Sequence, residues 1–248
     1  MSDVVLKVDN VCKKIKRREV IKNISFTVNK EDICGFIGPN GAGKTTLIRL
    51  ITGLIKKDKG NIFLNGYDVY KDRRHALVNL GAIVQEPIFF PYLTGEKALL
   101  NLALLNENMT KKERKDKVLE VLKIVGLYDR RKDKVSTYSL GMKQRLGIAQ
   151  ALLNNPKIII LDEPANGLDP MGMIELRELI LKLNKENGIT FFISSHLLDE
   201  LQKICNKLVV IRTGEVIWSG DTETLLYETK GKTLEETFVS LMKRRETY

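Results

Sequence analysis

One eight-residue run, Gly38-Pro39-Asn40-Gly41-Ala42-Gly43-Lys44-Thr45, restricts the possible folds more than any other feature of this 248-residue chain. Before it stands the near-continuous apolar stretch Ile33–Ile37, which suits a strand at the buried centre of a parallel sheet. After it, Leu47, Leu50 and Ile51 recur at helical spacing. Strand, glycine-rich loop and helix in that order make a phosphate-binding turn. Glycines let backbone N–H groups curl around a β-phosphate where side chains would block the approach. The following helix N-terminus adds a positive partial charge. Lys44 can bridge β- and γ-phosphates, the Thr45 hydroxyl can ligate Mg²⁺, and Thr46 follows in the same first turn. Chance alone would give the four fixed positions in roughly 1% of chains this long. The flanking strand and helix lower that figure further, so the loop reads as a nucleotide site.

Such a site needs an acidic group at the end of a second buried strand, and Ile158-Ile159-Ile160-Leu161-Asp162-Glu163 supplies it. Asp162 would hold Mg²⁺, directly or through water. Glu163, one residue beyond the strand, could orient and partly deprotonate an attacking water, an effect typically worth about 10²–10⁴-fold.

The rest of the chain arranges itself around these two strands. Val4, Leu6 and Val8 alternate, as do Ile24, Phe26 and Val28, so the N-terminal third reads as short strands. Ile62-Phe63-Leu64 enters an Asn65-Gly66 turn. The middle turns helical. Gly95–Asn106 is one helix, and Thr110-Lys111-Lys112-Glu113 is a capping box for a second that Gly126 stops. Residues of about 87–137 therefore read as a helical insert. The second α/β part resumes at Ile158, with Asp169-Pro170 opening a helix, a strand Thr190–Ser194, and a hairpin around Thr213-Gly214. The expected division is a catalytic domain over 1–220 and a charged helical tail over 221–248.

Composition narrows the partners. Ala98–Leu105, the longest apolar-looking stretch, is far below the roughly 20 residues a membrane span needs, and residues 1–20 carry no apolar signal block. Cys12, Cys34 and Cys205 lack metal spacing and read as reduced thiols. A cytosolic chain is expected. The net charge of +10, from 41 Lys and Arg against 31 Asp and Glu, favours an anionic partner: nucleotide, nucleic acid or the inner leaflet.

Taken in order, Gly38–Thr45, Gln85, Tyr138-Ser139-Leu140-Gly141-Met142-Lys143-Gln144-Arg145, Asp162-Glu163, Gly167-Leu168-Asp169 and Ser195-His196 resemble the ATP-binding subunits of ATP-binding cassette (ABC) transporters over about residues 4–220. The resemblance implies a P-loop NTPase fold of the α/β class, with a RecA-like core, an N-terminal antiparallel β subdomain and a helical insert. It implies ATP hydrolysis with Mg²⁺ bound through Thr45, Gln85 and Asp162, and catalysis by Glu163, His196 and Gln85. Ser139 and Gly141 open an apparent helix, Met142–Leu153, whose end would face the γ-phosphate held by a second copy or a related subunit. Asp169 doubles as an N-cap and as the family's cross-dimer aspartate; His196, one of two histidines, could by itself be a core residue, and the resemblance makes it a γ-phosphate contact.

Departures from the family pattern are visible. Its signature is usually Leu-Ser-Gly-Gly-Gln, whereas Leu140 and Met142 stand here in place of the first glycine and the glutamine. Ile15 occupies the place of the aromatic residue that stacks on adenine, and residues 1–25 contain no Phe, Tyr, Trp or His. The Ser-Leu-Gly-Met-Lys-Gln-Arg form and the tail Leu234-Glu235-Glu236-Thr237-Phe238 resemble the branch serving exporters of antibiotics and antimicrobial peptides, including bacitracin-resistance and lantibiotic-immunity systems. The expectation is a peripheral subunit on the cytoplasmic face of a bacterial membrane, powering a separate integral permease and binding no nucleic acid. Two alternatives stand beside it. One is a soluble ABC ATPase acting on ribosomes, DNA or iron–sulfur assembly; the other is a catalytically silent nucleotide-gated module.

Overall fold

The structure is a computed structural model that describes residues 3–228 and 233–243. Two sheets organise it. Strands β1 (Val4–Ile15) and β2 (Arg18–Asn29) form a long antiparallel hairpin, and β1 also pairs with β4 (Lys59–Leu64). β4 turns through Asn65 and Gly66, both at positive φ, into the short β5 (Tyr67–Asp68). The resulting four-stranded sheet has the order β2-β1-β4-β5.

The second sheet has six strands in the order β10-β9-β3-β8-β7-β6. Its centre is β3 (Ile33–Ile37), parallel to β8 (Thr190–Ser195) and β9 (Lys207–Arg212). β7 (Ile158–Asp162) lies between β8 and β6 (Leu80–Ile83), and β10 (Glu215–Asp221) closes one edge antiparallel to β9. The apolar runs of β3 and β7 look unbroken because both faces are covered. Ile33 and Ile37 enter one core cluster while Cys34 and Phe36 enter the other, and Ile159 and Leu161 alternate with Ile158 and Ile160 in the same way. Between the sheets, the Phe192 ring stacks on Phe36 at 5.2 Å and on Phe26 at 5.7 Å.

Helices pack on both faces of this sheet: the two that precede β6 join the cluster shared with the four-stranded sheet, and the later ones cover the opposite face. α1 (Lys44–Ile51) follows β3, and the short α2 (Arg73–Leu77) follows β5. α3 (Gly95–Ala103) ends three residues before Asn106, where exposed Leu104 and Leu105 offer nothing to the core and the chain leaves in a turn. In α4 (Lys111–Ile124) both bonds of the Thr110–Glu113 capping box form, and Gly126 leaves the helix end at φ +68°. α5 begins at Leu140, two residues earlier than the sequence indicated, because Ser139 is its N-cap; it runs to Leu152 and packs on α3 and α4, past the 87–137 stretch. α6 (Pro170–Asn187) has Asp169 as N-cap and Gly188 at its C-terminus in the left-handed region.

α7 (Leu198–Gln202), α8 (Thr222–Glu228) and α9 (Leu234–Lys243) complete the described chain. Of the expected tail, 229–232 and 244–248 lie outside the described residues. α9 is anchored rather than free: Leu234 is buried, its N–H donates to the Gln202 side chain at 3.0 Å, and Arg212 donates to the Met242 carbonyl. Cys34 and Cys205 are buried, which pushes both thiols well above their usual range and keeps them protonated.

Candidate active site

The glycine-rich loop sits at the C-terminal end of β3, where parallel sheets place their ligands. A side chain at Gly38 would strike the Ile211 carbonyl at 2.4 Å. At Gly43, φ is +109° and a β-carbon would lie 2.8 Å from Ile21. The loop is braced from outside by a relay in which Gly214 N–H donates to the Ala42 carbonyl at 3.0 Å and Lys22 N–H to the Gly214 carbonyl at 2.8 Å. α1 begins with Gly43 as N-cap and no capping side chain, so its first N–H groups are available to a phosphate.

Lys44 is buried, its ammonium donating to the Gly38 carbonyl at 2.7 Å and lying 3.4 Å from Glu163 Oε1. Glu163, at φ +51°, turns the chain off β7. Its Oε2 meets His196 Nδ1 at 2.7 Å and accepts the His196 backbone N–H at 3.2 Å. Lysine, glutamate and histidine therefore form one connected group at the mouth of the loop. Asp162 lies behind them, 5% exposed, with Oδ1 accepting from Ser194 Oγ at 2.6 Å. Its Oδ2 has no hydrogen-bond partner among the described residues, and neither does the Thr45 hydroxyl.

A cleft of about 610 Å³ gathers Pro39, Asn40, Gly41, Gly43, Lys44, Thr45, Thr46, Glu163 and His196. Gly38 and Ala42 are buried and do not line it. Val20 and Asn166 also line it and were not read from the sequence. Asn166 has a traceable signal, since its N–H donates to the Glu163 carbonyl in a tight turn, whereas Val20 arrives from β2 and only the fold brings it there. A second hollow of about 420 Å³ adjoins the cleft, sharing Val20 and Gly41 and adding Arg18, Glu19, Lys22 and Thr213. No aromatic ring among the described residues lines it. Ile15 is half-exposed at the hairpin end, paired with Arg18.

The remaining sequence-derived residues lie off this cleft. Gln85 is exposed at φ +69°, two residues past β6. Ser139 is exposed and spends its Oγ accepting the Met142 N–H at 3.2 Å. Asp169 is exposed and accepts the Gly172 N–H at 2.9 Å. These last two mark the starts of α5 and α6, which lie side by side: a β-carbon on Gly141 would sit 3.9 Å from Gly172, and one on Gly167 would sit 3.1 Å from Leu140.

Farther back, Glu200 on α7 is held below the usual carboxylate range, chiefly by the hydrogen bond from Lys203, with Arg177 of α6 2.9 Å away. The helix that follows His196 is thereby tied to α6.

A family model described as ABC transporter matches residues 21–166, more than half of the chain. The chain belongs to the ABC transporter family. An uncharacterized ABC transporter ATP-binding protein of Bacillus subtilis, YhcH, is 46% identical over 213 residues, covering 86% of this chain and 68% of that protein. The bacitracin transport ATP-binding protein BcrA of Bacillus licheniformis is 42% identical over 213 residues, again 86% of this chain and 68% of the relative. Among solved structures, the ATP-binding cassette MJ0796, a dimer in a post-hydrolysis state with ADP and Pi, aligns with a TM-score of 0.76 at 26% identity over 87% of this chain and 98% of that one. The α/β P-loop fold expected from the sequence is the fold observed. As a family member the chain binds and hydrolyses ATP, and no described helix is long and apolar enough to cross a membrane.

Proposed function

We propose that this ATPase pairs head-to-tail with a second ATP-binding subunit around two MgATP and powers a separate membrane permease that exports an antibiotic or antimicrobial peptide. The subunit is then peripheral, held to the cytoplasmic face of a bacterial membrane by the permease. Within each cleft the loop amides and Lys44 bind the phosphates. Glu163 takes the proton of the attacking water on a carboxylate oxygen while His196, bonded to its Oε2, fixes its orientation. Thr45 and Asp162 each offer one oxygen atom without a hydrogen-bond partner among the described residues, which suits a hard cation that keeps much of its water. With Gln85 they would hold Mg²⁺, which neutralises charge on the β- and γ-phosphates.

The exposed helix start at Ser139 supports the dimer, because it is an anion-attracting end outside its own chain's cleft, while Asp169 at the neighbouring start of α6 brings a carboxylate. BcrA, by its name a bacitracin transport protein, supports the cargo class. One observation carries the coupling: beyond Gln85, Ile88, Phe90 and Tyr92 are 92%, 63% and 66% exposed, an apolar surface that water alone does not favour. Phe90 and Tyr92 rest ring to ring at 5.5 Å and form a compact docking knob. Phe90→Asp should leave turnover of the isolated subunit within about twofold, since an exposed substitution shifts stability by about 0.5 kcal/mol or less. It should abolish cargo transport by the reconstituted complex. Loss of nucleotide binding in that variant, or undiminished transport, defeats the assignment.

Base recognition is weak on this reading. Among the described residues the hollow beside the loop offers aliphatic and charged groups but no ring, so neither purine gains stacking energy on an aromatic side chain. Competition binding should show ATP and GTP within about tenfold, or about 1.4 kcal/mol, of each other. A stronger ATP preference refutes the role given to Ile15.

A further inference from the structure

β8 ends in two consecutive serines that do different work. Ser195 Oγ accepts the Leu197 N–H at 3.0 Å and shapes the turn around His196. Ser194 instead reaches across the sheet. In the parallel register it stands opposite Asp162, and it is completely buried. Its hydroxyl hydrogen goes to Asp162 Oδ1 at 2.6 Å, in the short range of a charge-assisted bond. The same oxygen accepts the Glu163 N–H at 3.0 Å, and the Ser194 carbonyl accepts that N–H at 3.0 Å as well.

A buried hydroxyl is costly unless bonded, and Phe192, two residues before it on the same face of the strand, shows that this face accepts a buried apolar side chain. The hydroxyl is therefore explained by what it holds. A hydroxyl has one hydrogen to give, and here it goes to the carboxylate oxygen that faces the sheet. That leaves Oδ2, without a partner among the described residues, as the oxygen for an outside ligand.

We propose that Ser194 is a positioning residue for the divalent cation, locking the Asp162 carboxylate in one orientation and tying it to the peptide that carries Glu163. The inference rests on the reading of Asp162 as a cation ligand. Outer partners of ligating carboxylates typically contribute about 10–100-fold in metal affinity. The Glu163 N–H keeps the Ser194 carbonyl whatever the side chain, so removing the hydroxyl should strike the cation site rather than the turn.

The test uses the full chain, Mn²⁺ as the probe, and a non-hydrolysable ATP analogue, with free Mn²⁺ followed by electron paramagnetic resonance. Ser194→Ala should weaken Mn²⁺ by about 10–100-fold, with metal-free nucleotide affinity within about twofold of the parent, and Ser194→Thr should restore most of the loss. If the alanine variant has no cooperative melting transition, Ser194→Thr and Ser194→Val, equal in shape, make the comparison. Mn²⁺ affinity that is equal in that pair, or unchanged in Ser194→Ala, overturns the proposal. Asp162→Asn separates the two layers. If it loses Mn²⁺ while Ser194→Ala does not, only the role of Ser194 fails; if it binds Mn²⁺ normally, the reading of Asp162 fails first.

Discussion

Glu163→Gln should bind MgATP at least as tightly as the parent, lose about 10²–10⁴-fold in turnover, and elute as a dimer under saturating MgATP. The amide has the shape of the carboxylate, so the turn at φ +51° and its bonds to Ser194 are retained. What goes is the basic oxygen. An amide cannot take the proton of an attacking water, and the cleavage step loses its acceptor. Affinity should not fall, because Glu163 Oε1, 3.4 Å from the Lys44 ammonium, and a phosphate are rival anions for the same cation. Removing the carboxylate's charge leaves Lys44 to the nucleotide. If the γ-phosphate joins two subunits, a site that cannot cleave it keeps them joined. Phosphate release measures the first effect and size-exclusion chromatography the second. Turnover within tenfold of the parent removes Glu163 as the base, and monomers under saturating MgATP remove the sandwich.

The strands and the loop were legible because their signals are local. A five-residue apolar strand buried on both faces, glycines at positive φ, and acids ending an Ile-Ile-Ile-Leu run each state their geometry within a few residues. Thr110 with Glu113 and Asp169 with Pro170 gave their helix starts for the same reason. Boundaries shifted where the deciding contact was not apolar. α3 stopped at Ala103 because Leu104 and Leu105 found no core, and α5 began at Leu140, directly after its Ser139 cap, rather than at Met142. Contacts made by sheet register were hidden from the sequence. Val20 reaches the cleft from a strand 18 residues before Gly38, and Ser194 lies opposite Asp162 only because β7 and β8 pair in parallel. His196 was visible only through resemblance; its 2.7 Å contact with Glu163 supplies the physical reason it belongs to the site.

Lys44→Ala should fail at the step before chemistry. The side chain is 7% exposed, and its ammonium is held by the Gly38 carbonyl within hydrogen-bonding distance and by Glu163 nearby. Its position is therefore set by the loop before any phosphate is engaged, and little conformational entropy remains to be lost on binding. A preorganised cation meeting a triphosphate in a partly dry cleft is worth far more than an exposed ion pair. Truncating one partner of such a pair typically costs about 2–5 kcal/mol, which is roughly a 30- to several-thousand-fold loss of affinity. Equilibrium binding of a fluorescent ATP analogue should show that loss, with turnover falling in parallel and no dimer forming at nucleotide concentrations that saturate Glu163→Gln. The two variants thus divide the cycle. One retains the nucleotide and cannot cleave it; the other cannot hold it. If Lys44→Ala binds nucleotide within a few-fold of the parent, the loop amides alone hold the phosphates, and the lysine's contact with Glu163 becomes its principal role.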